Sequence, residues 1–255
     1  PLYGTCASSV DEARLGREEF GGKVEAFAAA WSEDEMRELV TLADTIVFNS
    51  VAQWHRFRDI VKVAPRSIEC GLRINPEHSE GTVPIYDPCS PISRLGIRRR
   101  DLPDGIMSEG ISGLHFHTLC EQGADALART VEAVEKNFAP FLEQCSWINC
   151  GGGHHITRDG YDIDLLVDAL EKLSDENARA AYACMDKVIS DADLFPERQL
   201  LYRAVTGYGP LEDGTVDLHA PADRANSVSR LSQVYQFCFV PLDDYNRITG
   251  SAETL

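Results

Sequence analysis

The chain has no paired cysteines of the C-x-x-C kind. Its eight cysteines, Cys6, Cys70, Cys89, Cys120, Cys145, Cys150, Cys184 and Cys238, are scattered along 255 residues. Thiols spaced this way in a chain this long read as reduced, which argues against a disulfide framework and against a zinc knuckle. Also missing are any run near the roughly 18 apolar residues of a membrane span and a charged-then-apolar leader. The expectation is a cytoplasmic protein that does not engage a membrane. Basic residues are few, 24 Lys and Arg against 41 Asp and Glu, for a net charge of −17. Nucleic acid and anionic lipid surfaces reward basic patches and so make poor partners, whereas a cationic small molecule such as a polyamine suits the field. Only five lysines occur, Lys23, Lys62, Lys136, Lys172 and Lys187. There is no internal repeat and no low-complexity tract.

The length matches either one α/β barrel, typically about 250 residues, or two smaller domains. Ser32-Glu33-Asp34-Glu35 is a capping box, and Met36, Leu39, Val40 and Ala43 follow at helical spacing. Residues 45–50 read as a strand, and 51–63, with Trp54, Phe57, Ile60 and Val61 on one face, as the helix after it. Further strands are expected over 68–75 and 110–119. Residues 124–142 carry Leu127, Val131, Val134 and Phe138 at helical spacing, with Pro140 perturbing the last turn. A short strand at Trp147-Ile148 and a helix over 162–173 complete a βα alternation, the pattern of parallel βα units. Residues 77–104, rich in proline, glycine and arginine, are too long for a plain connection and form a candidate functional loop. The last third differs: a helix over 178–189, a polar stretch over 207–226, and one convincing strand over 234–240. Cys238 there reads as a buried strand cysteine.

Two groups of residues could carry chemistry. Asn149-Cys150-Gly151-Gly152-Gly153-His154-His155 places three side-chain-free residues after a strand, where backbone N–H groups can approach an anion; a simple turn would use the same residues. His115-Phe116-His117 puts two imidazoles on one face of a strand by its period of two, at the mouth where His154 and His155 also arrive. These histidines admit three readings: metal ligands of a barrel hydrolase, a ring packed on an aromatic cofactor whose phosphate the glycines hold, or groups satisfied by neighbouring backbone.

A series of strings then resembles the carboxynorspermidine (carboxyspermidine) decarboxylase family, pyridoxal-phosphate enzymes of the alanine racemase-like fold. They are Gly4-Thr5 with Ala7-Ser8-Ser9, Leu15-Gly16 with Glu19-Phe20-Gly21-Gly22, Phe48-Asn49-Ser50, and Gly71-Leu72-Arg73-Ile74-Asn75-Pro76-Glu77. Tyr86-Asp87-Pro88-Cys89, Ser93-Arg94-Leu95-Gly96, Gly113 through Glu121, and Asn149 through Thr157 continue the series in the family's order, across about residues 1–170. The resemblance implies a partial or modified (β/α)8 TIM-type barrel with a divergent α+β C-terminal segment. Residues 1–174 would be a barrel-derived region binding pyridoxal 5'-phosphate, and 175–255 a segment of unknown role.

By the same resemblance His117 stacks on the pyridine ring, Cys120 and Gly151, Gly152 and Gly153 contact the phosphate, and Arg73 lies on the cofactor-side strand. The implied reaction is α-decarboxylation of carboxynorspermidine or carboxyspermidine in polyamine synthesis, by a homodimer acting on a cationic substrate. The sequence also departs from the family. None of its lysines stands in the context of the imine-forming lysine, which is expected to lie before the first residue. No Glu-Pro-Gly-Glu-like string follows the 162–173 helix, so the catalytic residues stay unassigned. An incomplete decarboxylase polypeptide, a non-catalytic descendant with a new partner surface, and a histidine-dependent metal hydrolase are the functions left to distinguish.

Overall fold

A computed structural model describes residues 4–81, 84–120, 122–155, 159–174, 180–183 and 185–186. The elements are β1 (Gly4–Ala7), α1 (Val10–Leu15), β2 (Lys23–Phe27), α2 (Glu33–Leu42), β3 (Thr45–Phe48), α3 (Val51–Lys62), β4 (Glu69–Arg73) and β5 (Gly113–His115). They continue with α4 (Ala124–Leu142), β6 (Trp147–Asn149), β7 (His154–His155), α5 (Ile163–Leu173), β8 (Ala180–Tyr182) and β9 (Met185–Asp186). Seven strands form one sheet in the order β1-β2-β3-β4-β5-β6-β8, each pairing parallel with the next. Sequential parallel strands joined by helices are the winding of a TIM-type barrel. Among the described strands the sheet does not close on itself: it is a half-barrel.

Local chemistry accounts for the helices. The side chain of Ser32 accepts from Glu35 N while Glu35 returns a carboxylate to Ser32 N, so two otherwise orphan donors at the start of α2 are satisfied. Ser50 caps α3 in the same sense by accepting from Gln53 N at 3.2 Å. In α4 the buried residues Ala124, Leu127, Val131, Val134, Phe138 and Phe141 recur every three or four positions and face the sheet. Pro140 lies within that helix, which nevertheless runs on to Leu142, where Glu143 N still donates to Ala139 O. The lost N–H is confined to the last turn, where the helix is half-exposed on its outer face.

Strand residues alternate between two faces. Val24, Ala26, Ile46, Phe48, Cys70, Leu72, Leu114 and Ile148 pack against the helices in the main core. The other face is the concave interior, where Phe27, Val47 and Trp147 cluster with Cys6. The indole of Trp147 lies over the two side-chain-free positions Gly71 and Gly113, where an added Cβ would overlap the ring, and its Nε1 donates to Ser112 Oγ at 3.1 Å. Contacts across the interior show how far the sheet curls: Phe27 on β2 reaches His115 on β5, ring centroids 4.7 Å apart.

One expected element is corrected. Residues 180–182, within the stretch expected to be a helix over 178–189, form β8 and pair with Trp147, Ile148 and Asn149 of β6. Alanine-rich composition favours a helix, but here the unpaired edge of β6 supplies hydrogen-bond partners that override propensity. The strand expected over 110–119 shortens to Gly113–His115, with the residues after it forming a loop. The readings of residues 207–226, 234–240, Cys184 and Cys238 lie outside the described residues, as does Glu121.

Candidate functional site

The site gathers at the C-terminal ends of the strands. Arg73, His115 and Asn149 end β4, β5 and β6 and stand side by side in the strand register. Two loops leave this row: Phe116 to Cys120 after β5, and Cys150 to Gly153 after β6. They touch through their backbones. Gly151 has φ +75 and Gly153 φ +98. A Cβ on Gly151 would overlap the Phe116 carbonyl oxygen and come within 2.8 Å of His117 Cα, and one on Gly153 would overlap Leu119 O and stand 2.9 Å from Cys120 N. Glycine is required here both by left-handed backbone and by the close approach of two chains.

One hydrogen bond joins the glycine loop to the histidine loop: Gly152 N donates to His117 Nδ1 at 3.1 Å. This bond needs an unprotonated Nδ1, so the neutral ring carries its proton on Nε2. Burial, the Arg73 guanidinium and His154 together hold the His117 pKa down to about 3. His115, completely buried, is held well below the usual histidine range by burial first, then by Arg73 and His117. The two imidazoles lie 6.4 Å apart and 21° from parallel, with Phe27 beside both. His154 Nδ1 lies 3.0 Å from Tyr161 OH.

Arg73 is 8% exposed, and its Nη2 donates to His117 O at 3.2 Å. Burial lowers its pKa to about 10, so it stays cationic at neutral pH. Among the described residues no carboxylate lies within ion-pair distance of it. A buried cation facing a concave mouth without a carboxylate suits an anionic ligand. The structure thus brings His117, Arg73, Gly151, Gly152, Gly153 and Cys120 into one cluster, with Cys120 exposed at its rim.

Among the described residues no three His, Cys, Asp or Glu side chains are arranged to hold a metal ion. His117, moreover, has Nδ1 committed to Gly152. The described lysines stand elsewhere: Lys23 at the opposite end of β2 near Asp44, Lys62 near Asp59, Lys136 exposed on α4, and Lys172 paired with Glu135.

The long loop over residues 77–104 is tied to the same mouth. Asn75, 2% exposed, donates from Nδ2 to Pro88 O, and its Oδ1 accepts from Glu77 N, which adopts φ 59. Asn49 grips the loop further on, donating to Arg94 O and accepting from Gly96 N. The residue that sequence reasoning missed is Glu25. It is 7% exposed on the concave face of β2, and its Oε1 accepts from Asn149 Nδ2 at 2.6 Å across the interior. A carboxylate in the otherwise apolar run Val24-Glu25-Ala26-Phe27 was the available signal.

Carboxynorspermidine/carboxyspermidine decarboxylase of Campylobacter jejuni is 39% identical over 181 residues, covering 71% of this chain and 46% of that protein. Carboxyaminopropylagmatine decarboxylase of Synechocystis sp. is 43% identical over 166 residues, covering 65% of this chain and 42% of that protein. The crystal structure of carboxynorspermidine decarboxylase from Campylobacter jejuni, complexed with norspermidine, superposes with a TM-score of 0.62 at 35% identity. It covers 72% of this chain and 46% of that one. Over its matched part the chain is a homologue of these decarboxylases. Diaminopimelate decarboxylase from Helicobacter pylori shares the fold, with a TM-score of 0.56 at 13% identity over 71% of this chain and 50% of that one. No family model matches. The chain spans somewhat less than half the length of the curated decarboxylases it matches, and the fold of the matched region is the half-barrel of alanine racemase-like decarboxylases.

Proposed function

We propose that residues 1–174 form the cofactor-binding half-barrel of a pyridoxal 5'-phosphate-dependent decarboxylase acting on carboxynorspermidine or carboxyspermidine. The observation that carries this reading is the Gly152 N–H bond to His117 Nδ1, which unites two family motifs, distant in sequence, at one mouth. The residues fit the cofactor. The Gly151–Gly153 backbone offers close approach to a phosphate, Arg73 supplies buried positive charge with no carboxylate partner among the described residues, and His117 presents a neutral ring with the phosphate loop fixed at its edge. Cys120 at the rim completes the phosphate side.

When bound, the cofactor supplies the electron sink that makes loss of carbon dioxide from the α-carbon feasible. This chain's own residues hold and orient. Arg73, through the His117 carbonyl, fixes the height of the histidine loop. The neutral state of His117 keeps a second positive charge from competing with Arg73 at the mouth. The substrate side draws on the acidic composition of the chain, which favours a polycationic amine over an anionic metabolite. The described lysines do not reach the site, so turnover requires a lysine beyond them.

The test is a titration of the 255-residue chain with pyridoxal 5'-phosphate. Saturable binding that inorganic phosphate competes away, without the absorbance of a lysine imine from the four described lysines, is the expected result. Absence of saturable binding would overturn the reading. Substrate identity is tested by carbon dioxide release from carboxynorspermidine and carboxyspermidine once a lysine-bearing partner segment is supplied. One methylene between them is worth about 1–3 kcal/mol in a pocket, so the two rates are expected to lie within about 200-fold of each other.

A further inference from the structure

We propose that Glu25 is a positioning residue for the glycine loop, acting through Asn149; the functional consequence rests on the cofactor reading above. The connection is a chain of hydrogen bonds that crosses the half-barrel. Asn149 Nδ2 donates to Glu25 Oε1 at 2.6 Å, Asn149 Oδ1 accepts from Gly151 N at 2.7 Å, and the next residue, Gly152, donates its N–H to His117 Nδ1 at 3.1 Å. Arg73 then contacts the carbonyl of His117. Every link is buried or nearly so, and Asn149 is itself 0% exposed.

The physical argument concerns what an amide needs. An asparagine side chain has one acceptor oxygen and one donor nitrogen, and its neighbours must supply the complements. Gly151 N–H demands the oxygen. The nitrogen, turned the other way, is directed into the barrel, where it meets the carboxylate of Glu25. That carboxylate is its acceptor. Without it the Asn149 NH2 group has lost its carboxylate partner, and the side chain gains by rotating away from Gly151 to find another. Gly151, at φ +75, then loses the contact that holds its turn, and Gly152 no longer aims at His117. A glutamine at position 25 keeps an acceptor oxygen for the Asn149 amide, whereas a leucine does not.

That difference defines the experiment. Glu25→Leu and Glu25→Gln are compared with the parent in the 255-residue chain, each checked for folding by its thermal transition. The first readout is the ¹⁵N resonance of His117 Nδ1, which moves when that nitrogen ceases to accept a hydrogen bond and needs no cofactor. The second is the Kd for pyridoxal 5'-phosphate. Glu25→Leu is expected to shift the Nδ1 resonance and weaken binding about tenfold, the equivalent of one buried hydrogen bond. Glu25→Gln, which keeps an acceptor oxygen, is expected to retain the parent resonance and bind within about threefold of it. The proposal is overturned if Glu25→Leu leaves the Nδ1 resonance unchanged, or if Glu25→Gln is as impaired as Glu25→Leu. Should the parent itself not bind the cofactor while the resonance responds as expected, the positioning role stands and the cofactor reading falls.

Discussion

At the scale of single residues, the site depends on two histidines kept neutral inside the protein. His117 titrates at about 3 when folded and at about 6.5 when unfolded. His115 is shifted in the same direction. Between these values the unfolded chain binds protons that the folded chain refuses, so stability is full above about pH 6.5 and is lost as the pH falls toward 3. Each histidine contributes at most about 1.4 kcal/mol per pH unit in that window. Urea unfolding at pH 7.0, 6.0 and 5.0, above the carboxylate range, should show this decline. His117→Gln, whose amide oxygen can accept from Gly152, should remove one histidine's share of the slope.

A second prediction at this scale separates strain from crowding. Gly151 and Gly160 both have positive φ, +75 and +77, but nothing lies within 4 Å of a Cβ at Gly160. Gly160→Ala should cost only the roughly 1–2 kcal/mol of left-handed backbone and leave ligand affinity alone. Gly151→Ala should cost more in thermal stability, and should weaken pyridoxal 5'-phosphate binding at least about tenfold, because the Phe116 carbonyl must move.

The histidines and glycines were readable from sequence because strand period and glycine punctuation are local patterns. Glu25 was not, because its significance lies in a contact with Asn149, which is 124 positions away. Arg73 was legible as a motif residue, but its lack of a carboxylate partner among the described residues is a property of the folded interior alone.

At the scale of elements, the helices with caps or strong periodicity were legible almost to the residue. The stripe of α4 and the capping box of α2 each repeat one physical requirement several times within a short span, so local sequence suffices. Ser32→Ala should lower stability by about 1 kcal/mol, read in urea unfolding, with no change in ligand affinity, since α2 caps away from the mouth. The first βα unit was harder. β1 and β2 have only four and five residues, and α1 has six and passes into a wider π-type turn that Gly21 closes by donating to Gly16 O. Elements that short carry little periodicity. The mistaken helix over 178–189 has a different origin: alanine favours a helix in isolation, and only the waiting edge of β6 makes residues 180–182 a strand.

At the scale of the whole molecule, seven parallel strands wind in order and, among the described residues, do not close. Parallel sheets are held by partners on both sides, so β1 and β8, each paired on one side only among the described strands, should be the least protected. Amide hydrogen exchange should be slowest in β3, β4 and β5 and faster in β1 and β8. Equal protection across all seven would contradict an open sheet. The curated decarboxylases are more than twice as long as the region they share with this chain.

The Trp147 ring spread over Gly71 and Gly113 has an optical consequence. Trp31 and Trp54 sit in the core beneath the helices, while Trp147 alone of the three packs within the concave cluster. Its emission therefore samples the bowl itself. A bound pyridoxal ring absorbs light where tryptophan emits, so cofactor entering the mouth should quench this one indole far more than the other two. Trp147→Phe should abolish most of the quenching, turning a structural floor into a built-in gauge of occupancy.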